Sequence, residues 1–233
     1  MLVLFILVIL FGFGVCQWAA GRYATVETQG MKERAPTAQT GAEIVRLFLA
    51  YEGVDDVEIV EHEATVTDYF DPKRRRLFLQ RRVAQGTSMG AWAIALHEAG
   101  HALQTDAALP ELQWRQNVIR LNRYGPIFAL VGAAGMLFLR LPSRFAGLIL
   151  VVVCVLLLLL NLGTLAVEYN ANARLRRFLE KHLERHPDAQ DRLTSYLSRV
   201  ALREVGDLLR SPRFFFFSAL PGSGKIRPVK KSD

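Results

Sequence analysis

The chain has 233 residues, 51% of them apolar and 22% charged, with 29 Lys and Arg against 22 Asp and Glu for a formal net charge of +7. These proportions exclude a disordered, collagen-like or coiled-coil chain. The two cysteines, Cys16 and Cys154, both lie inside apolar blocks, which excludes a disulfide framework and a cysteine-based zinc site.

The apolar residues gather into three blocks instead of spreading through amphipathic elements, the mark of a membrane protein. The first, residues 2–20, holds no charge and is long enough at 1.5 Å per residue to cross roughly 30 Å of hydrocarbon. It lacks the basic stretch that precedes the core of a cleaved signal peptide, so it reads as a retained anchor. Residues 40–53 place Ile44, Val45, Leu47, Phe48 and Leu49 between Thr40, a cap, and Gly53, a stop, which predicts a short amphipathic helix. Residues 57–60, 64–70 and 77–79 alternate or run β-branched, and Asp71-Pro72 turns the chain, so two or three strands in a small antiparallel element follow. The run Lys73-Arg74-Arg75-Arg76 reads as a solvated turn, with headgroup contact as the alternative. Thr87 or Ser88 then caps a helix through about Leu103 whose many alanines and glycines suit burial.

The second block, residues 125–139, is short. It must extend past Arg140 or thin the bilayer to span it, and its small residues at 132–135 suit packing against another helix. The third, residues 145–167, is uncharged and interrupted only by Asn161. Joined by RLPSR, the two form a helical hairpin that returns the chain to the side it left, so residues 22–124 and 168–233 share one face of the membrane. Arg22, Arg115, Arg120, Arg123, Arg174, Arg176 and Arg177 flank the spans on that face, against Arg140 and Arg144 on the other, which makes it the cytoplasmic one. Helices over 168–185 and 189–209, broken at Pro187, come next, and the tail with Phe214 to Phe217 reads as an apolar plug before a disordered basic end. The division is an anchor (1–21), a polar catalytic segment (22–124), the hairpin (125–167), a helical segment (168–211) and the tail (212–233). With no basic stripe interleaved with aromatics, the positive balance points to anionic lipid and away from nucleic acid.

The residues that carry chemistry are His97-Glu98-Ala99-Gly100-His101, an H-E-x-x-H pattern. Histidines four apart on a helix project from one face, so both rings can meet one Zn2+ ion while Glu98 reaches the water it activates. Zinc lowers the pKa of water and polarises a carbonyl, and the carboxylate moves the proton to the leaving amine. A catalytic zinc site needs a third protein ligand. Glu168 fits, as the first charge after residues 145–167 and on the same membrane face; Asp106, close after His101, is the alternative. Asn172, one turn beyond Glu168, reads as a hydrogen-bond partner of a ligand. His182 and His186 lie in a strongly charged stretch and read as a solvated face, and His62, between Glu61 and Glu63, as solvent-facing. Gly222-Ser223-Gly224-Lys225 lacks the strand and spacing of a phosphate loop.

With Thr40-Gly41-Ala42, Gly53-Val54-Asp55-Asp56-Val57, Thr67-Asp68-Tyr69-Phe70-Asp71-Pro72, Leu96 to Gln104 and Val167-Glu168-Tyr169-Asn170-Ala171, the chain resembles the YugP-type membrane zinc metallopeptidases. The resemblance implies zinc ligation by His97 and His101, Glu98 as catalytic base and Glu168 as third ligand. Asn172 departs from it, standing where the family has a serine.

The reading is a mainly α integral membrane protein with three transmembrane helices and a zincin-like α+β catalytic part. The motif and the resemblance together lead us to expect a zinc metallopeptidase of the cell membrane, acting on peptides or proteins from the cytoplasmic surface, with residues 65–70 as an edge for extended substrate. An intramembrane zinc protease and a non-catalytic scaffold are the alternatives.

Overall fold

With no charge before Arg22, the first apolar block winds into one helix, α1 (Leu2–Thr25), which passes into a wider π turn at Val26–Gly30. The computed structural model describes residues 2–63, 67–104, 108–140, 142–208 and 226–228. The outer half of α1 is bare, with Val3, Leu7, Leu10 and Phe11 exposed, whereas Cys16, Ala19, Tyr23 and Val26 are buried against the rest of the chain. α2 (Gly41–Tyr51) starts at a capping box in which Glu43 N donates to Thr40 Oγ1 (3.2 Å) and Thr40 N donates to Glu43 Oε2 (2.8 Å). Its apolar face, with Ile44, Val45, Phe48 and Leu49, enters the core.

Three strands follow: β1 (Glu58–His62), β2 (Tyr69–Asp71) and β3 (Arg76–Gln80). The turn after Asp71 closes β2 and β3 into an antiparallel hairpin with Phe70 opposite Leu77, but β1 runs parallel to β3 with Ile59 opposite Leu77. The sheet is therefore mixed, correcting the antiparallel element expected from sequence. β3 carries Leu77, Phe78 and Leu79 in succession, all buried, and a strand apolar on both faces takes an interior slot, here between β2 and β1. Residues 64–66, expected to extend β2, lie outside the described residues. On the other side of β1, β4 (Ile226–Pro228) pairs antiparallel with Val60–His62, so this part of the basic end is ordered backbone, not the expected disorder. β1 is thus internal and His62 is buried at 4% exposure beside Phe78, not solvent-facing. The basic turn is also engaged: Arg75 pairs with Asp56 (2.6 Å) and donates to the Ala102 carbonyl (3.1 Å).

α3 (Arg81–Ala84) leads to α4 (Met89–Ala102), capped by Ser88 Oγ, which accepts from Ala91 N at 3.2 Å. Every residue of α4 is buried, so it is the axis on which the other elements pack. α5 (Leu109–Phe138) and α6 (Ser143–Arg174) lie side by side as a hairpin. Among the described residues two helical stretches, Ile6–Gly30 and Arg144–His182, are long and apolar enough to cross a membrane. The sequence led us to expect three. α5 falls short because its apolar part begins after Arg123 and its helix stops at Phe138, giving about 20 Å at 1.5 Å per residue. Arg140 then enters a left-handed turn (φ 58°), so the helix does not extend past it.

α6 runs unbroken through Glu168 to Arg174 and is followed by α7 (Arg176–His182), α8 (Pro187–Val200) and α9 (Arg203–Asp207). α7 ends at His182, and His186 precedes α8, so the two histidines do not share a helix face. His182 stacks on Phe178 with ring centroids 5.1 Å apart, which corrects its reading as solvated; His186 is exposed. α8 buries Leu193, Tyr196, Leu197 and Val200 against α4, and α9 sits on α1 through Leu202, Val205 and Ala19. Phe214 to Phe217 and residues 222–225 lie outside the described residues.

Candidate metal centre

α4 and α6 approach most closely at Gly100, where a Cβ would lie 2.5 Å from the Ala171 carbonyl oxygen. Only hydrogen fits there. The crossing sets His97 and His101 of α4 against Glu168 and Asn172 of α6, and His97, His101 and Glu168 are all about 1% exposed or less. His97 Nε2 lies 2.9 Å and His101 Nε2 3.3 Å from the same carboxylate oxygen, Glu168 Oε2. One ligand atom from each of the three residues falls within 4.8 Å of the others, a grouping that could hold a metal ion.

The outer ring nitrogens determine what the inner ones can do. Gln104 Nε2 donates to the Val167 carbonyl (3.0 Å) and to Asn170 Oδ1 (2.9 Å), which turns Gln104 Oε1 toward His101 Nδ1 at 2.7 Å. Asn172 Nδ2 likewise donates to the Leu197 carbonyl (2.9 Å), turning its Oδ1 toward His97 Nδ1 at 2.8 Å. An amide oxygen can only accept, so each Nδ1 carries the hydrogen and each Nε2 is the ring nitrogen turned toward Glu168 Oε2. Burial, helped by the Arg115 guanidinium, holds His101 below the usual imidazole range and so in its neutral form. Its Nε2 is buried without a hydrogen-bond partner among the described residues, since the approach to Glu168 at 3.3 Å lies off hydrogen-bond geometry. In a dry site the His101 lone pair and the Glu168 carboxylate repel one another unless a cation lies between them. The donor set, two imidazole nitrogens and a carboxylate oxygen with amide partners behind the rings, fits zinc.

Two arginines complete the centre. Arg115 Nε donates to Glu168 Oε1, the oxygen turned away from the histidines. Arg203 Nη2 donates to Glu98 Oε1 at 2.8 Å. Glu204 touches both guanidinium groups, 3.2 Å from Arg203 and 3.9 Å from Arg115. Burial works to raise Glu98, but Arg203, with the histidines and Arg115, outweighs it and holds the carboxyl below its usual range. Glu98 Oε2 has no hydrogen-bond partner among the described residues.

The structure thus brings together His97, Glu98, His101, Glu168 and Asn172. It places His62, His182 and His186 outside the cluster, and Asp106 lies outside the described residues. Gln104, Arg115, Arg203 and Glu204 were not anticipated. Arg115 had stood out only as a charge flanking a span, and Arg203 and Glu204 as ordinary charges in a helix.

A family model described as "Putative neutral zinc metallopeptidase" matches residues 1–211. A Bacillus subtilis (strain 168) protein named "Putative membrane protease YugP" is 30% identical over 209 residues, covering 89% of this chain and 92% of its own length. No solved structure matches the chain.

Proposed function

The chain belongs to the family described as putative neutral zinc metallopeptidases, and from that membership we propose a membrane-bound zinc endopeptidase. His97 Nε2, His101 Nε2 and Glu168 Oε2 would hold the metal, and Glu98 is the general base. The observation that carries this reading is the convergence of two oriented imidazole Nε2 atoms on one carboxylate oxygen, beside a second carboxylate with one oxygen that has no hydrogen-bond partner among the described residues. When bound, zinc supplies a Lewis acid that acidifies water and polarises a peptide carbonyl. Glu98 Oε2 accepts the proton of the attacking water and returns it to the leaving nitrogen. Gln104 and Asn172 hold the rings in the tautomer and orientation that ligation requires, and Arg115 balances the charge of Glu168 without taking the oxygen that faces the histidines.

Membrane attachment is supported by the exposed apolar surfaces of α1 and α6 and by the name of the Bacillus relative. We read α1 and the apolar part of α6 as crossing the bilayer, with α5 as a shorter companion. The site then lies where α6 leaves the apolar layer, on the side bearing Arg22, Arg115, Arg120 and Arg174, the cytoplasmic one.

The test is zinc per chain, by elemental analysis, in wild type, His101→Ala and Glu168→Ala purified in detergent, with peptide hydrolysis measured on Glu98→Gln. One zinc in wild type, lost or weakened in both ligand variants, and a zinc-loaded Glu98→Gln slowed by about 10²–10⁴-fold are expected. A folded wild type without zinc would move the assignment to a non-catalytic scaffold. Retained turnover in Glu98→Gln would remove the general base.

A further inference from the structure

Glu98 is completely buried on α4, and a carboxylate there stays ionised only beside a counter-charge. The chain supplies one from 105 positions further on, Arg203, itself 3% exposed. The contact is one-sided. Arg203 Nη2 takes Glu98 Oε1 and leaves Oε2 without a hydrogen bond among the described residues, so the two oxygens of one carboxylate are made unequal. The hydrogen bonds of this guanidinium go to Glu98 and Glu204, while its Nε and Nη1 are buried without partners among the described residues. An arginine serving only as a rivet would spread its five donors over nearby carbonyls; this one is committed to carboxylates at the metal centre.

Its seat is built away from the chemistry. Arg203 opens α9, whose Leu202 and Val205 neighbours pack on Ala19 of α1. A Cβ on Gly206 would lie 2.7 Å from the Ala20 backbone, so glycine lets α9 lie directly on α1. The N-terminal helix is thereby the support on which the guanidinium rests.

Building on the peptidase reading, we propose that Arg203 is the positioning residue for Glu98: it anchors Oε1 and so presents Oε2 as the oxygen that exchanges the proton, without touching substrate itself.

The experiment uses the full chain in detergent, loaded with zinc, as Arg203→Met, Arg203→Lys, Glu98→Gln and Arg203→Met/Glu98→Gln. Turnover is measured on a quenched-fluorescent peptide selected from a random library with the wild type, zinc by elemental analysis, and thermal unfolding on the metal-free proteins. Arg203→Met is expected to keep one zinc and to lose about 100-fold in kcat, the lower end of a general-base contribution, with KM little changed. Arg203→Lys, which restores charge but not the fork, should recover about tenfold. In the Glu98→Gln background the Arg203 substitution should cost no further turnover, and the thermal midpoint lost in Arg203→Met should return in the double variant, which leaves no buried charge unpaired. That double variant also keeps the test open if Arg203→Met alone does not fold. Wild-type kcat in Arg203→Met, or an equal fold-loss on adding it to Glu98→Gln, overturns the proposal alone. A zinc-loaded wild type that cleaves no peptide in the library overturns the peptidase reading and the positioning role with it, and the thermal cycle distinguishes that case from the absence of the Arg203 and Glu98 contact.

Discussion

Replacing Gly100 by alanine adds one carbon at a point 2.5 Å from the Ala171 carbonyl oxygen, where ordinary contact begins at 3.4 Å. α4 and α6 must then separate by about 1 Å, because the opposing atom is helix backbone and no rotamer can move it aside. Overpacking of this kind costs about 1–3 kcal/mol, which the fold should survive. The metal centre should not. Zinc accepts nitrogen and oxygen ligands at about 2.0–2.2 Å with a tolerance of about 0.2 Å, so a shift near 1 Å withdraws Glu168 from the two histidines. The expected loss in zinc affinity is at least the ~10–100-fold that follows removal of a mere outer partner. Competition against a chromogenic chelator reads the affinity, and circular dichroism verifies the fold. Gly147→Ala, also on α6 but with nothing within 4 Å of the added carbon, is the control and should bind as wild type. A folded Gly100→Ala protein with wild-type zinc affinity would refute the claim that this crossing sets the ligand geometry.

Three further outcomes follow from the same contacts. Gln104→Leu removes the oxygen facing His101 Nδ1 and should weaken zinc binding about 10–100-fold in the same titration, while Gln104→Glu should retain most of it. Arg115→Met leaves Glu168 buried without its ion pair and should cost about 3–5 kcal/mol in thermal unfolding of the metal-free protein, much of it recovered when Glu168→Gln is added; strictly additive losses would contradict this. Burial pushes the Asp68 carboxyl up to about 6, so the folded chain holds that proton more tightly than the unfolded one. Its stabilising contribution is complete below about pH 4 and is lost as the pH rises through about 6, some ~3 kcal/mol in all. Asp68→Asn keeps an oxygen for Gln80 N (2.6 Å) and should match wild type in thermal midpoint near pH 4 but exceed it at pH 7; a difference independent of pH would rule out this titration.

The parts of the centre that could be read in advance are those joined by short-range rules. His97, Glu98 and His101 share one helix, where spacing alone fixes the face. Glu168 was within reach because it ends an uncharged run on the return arm of a hairpin, and Asn172 because it lies one turn further along the same helix. Arg115 and Arg203 were not legible, since nothing local separates an arginine that enters a buried centre from one that ends in solvent, and the contact spans 53 and 105 positions. The strands show the same boundary. The β2 and β3 hairpin follows from its turn residues, but the parallel placement of β1 depends on β3 occupying the interior, a choice made by packing on both faces. The third span failed for a different reason. Apolar composition in α5 was visible, yet whether the helix would continue beyond Arg140 depended on a left-handed residue that the sequence does not announce.

The docking of α9 onto α1 gives the chain an order of assembly. A polypeptide leaves the ribosome from its N-terminus, so the two histidines, and later Glu168, are synthesised before Arg203. Through that interval Glu98 has no guanidinium beside it, and the centre lacks the contact proposed to aim its proton-accepting oxygen. The first helix is thus the surface, already made, on which α9 closes, and the Arg203 contact with Glu98 forms only when these two ends of the described helical body meet.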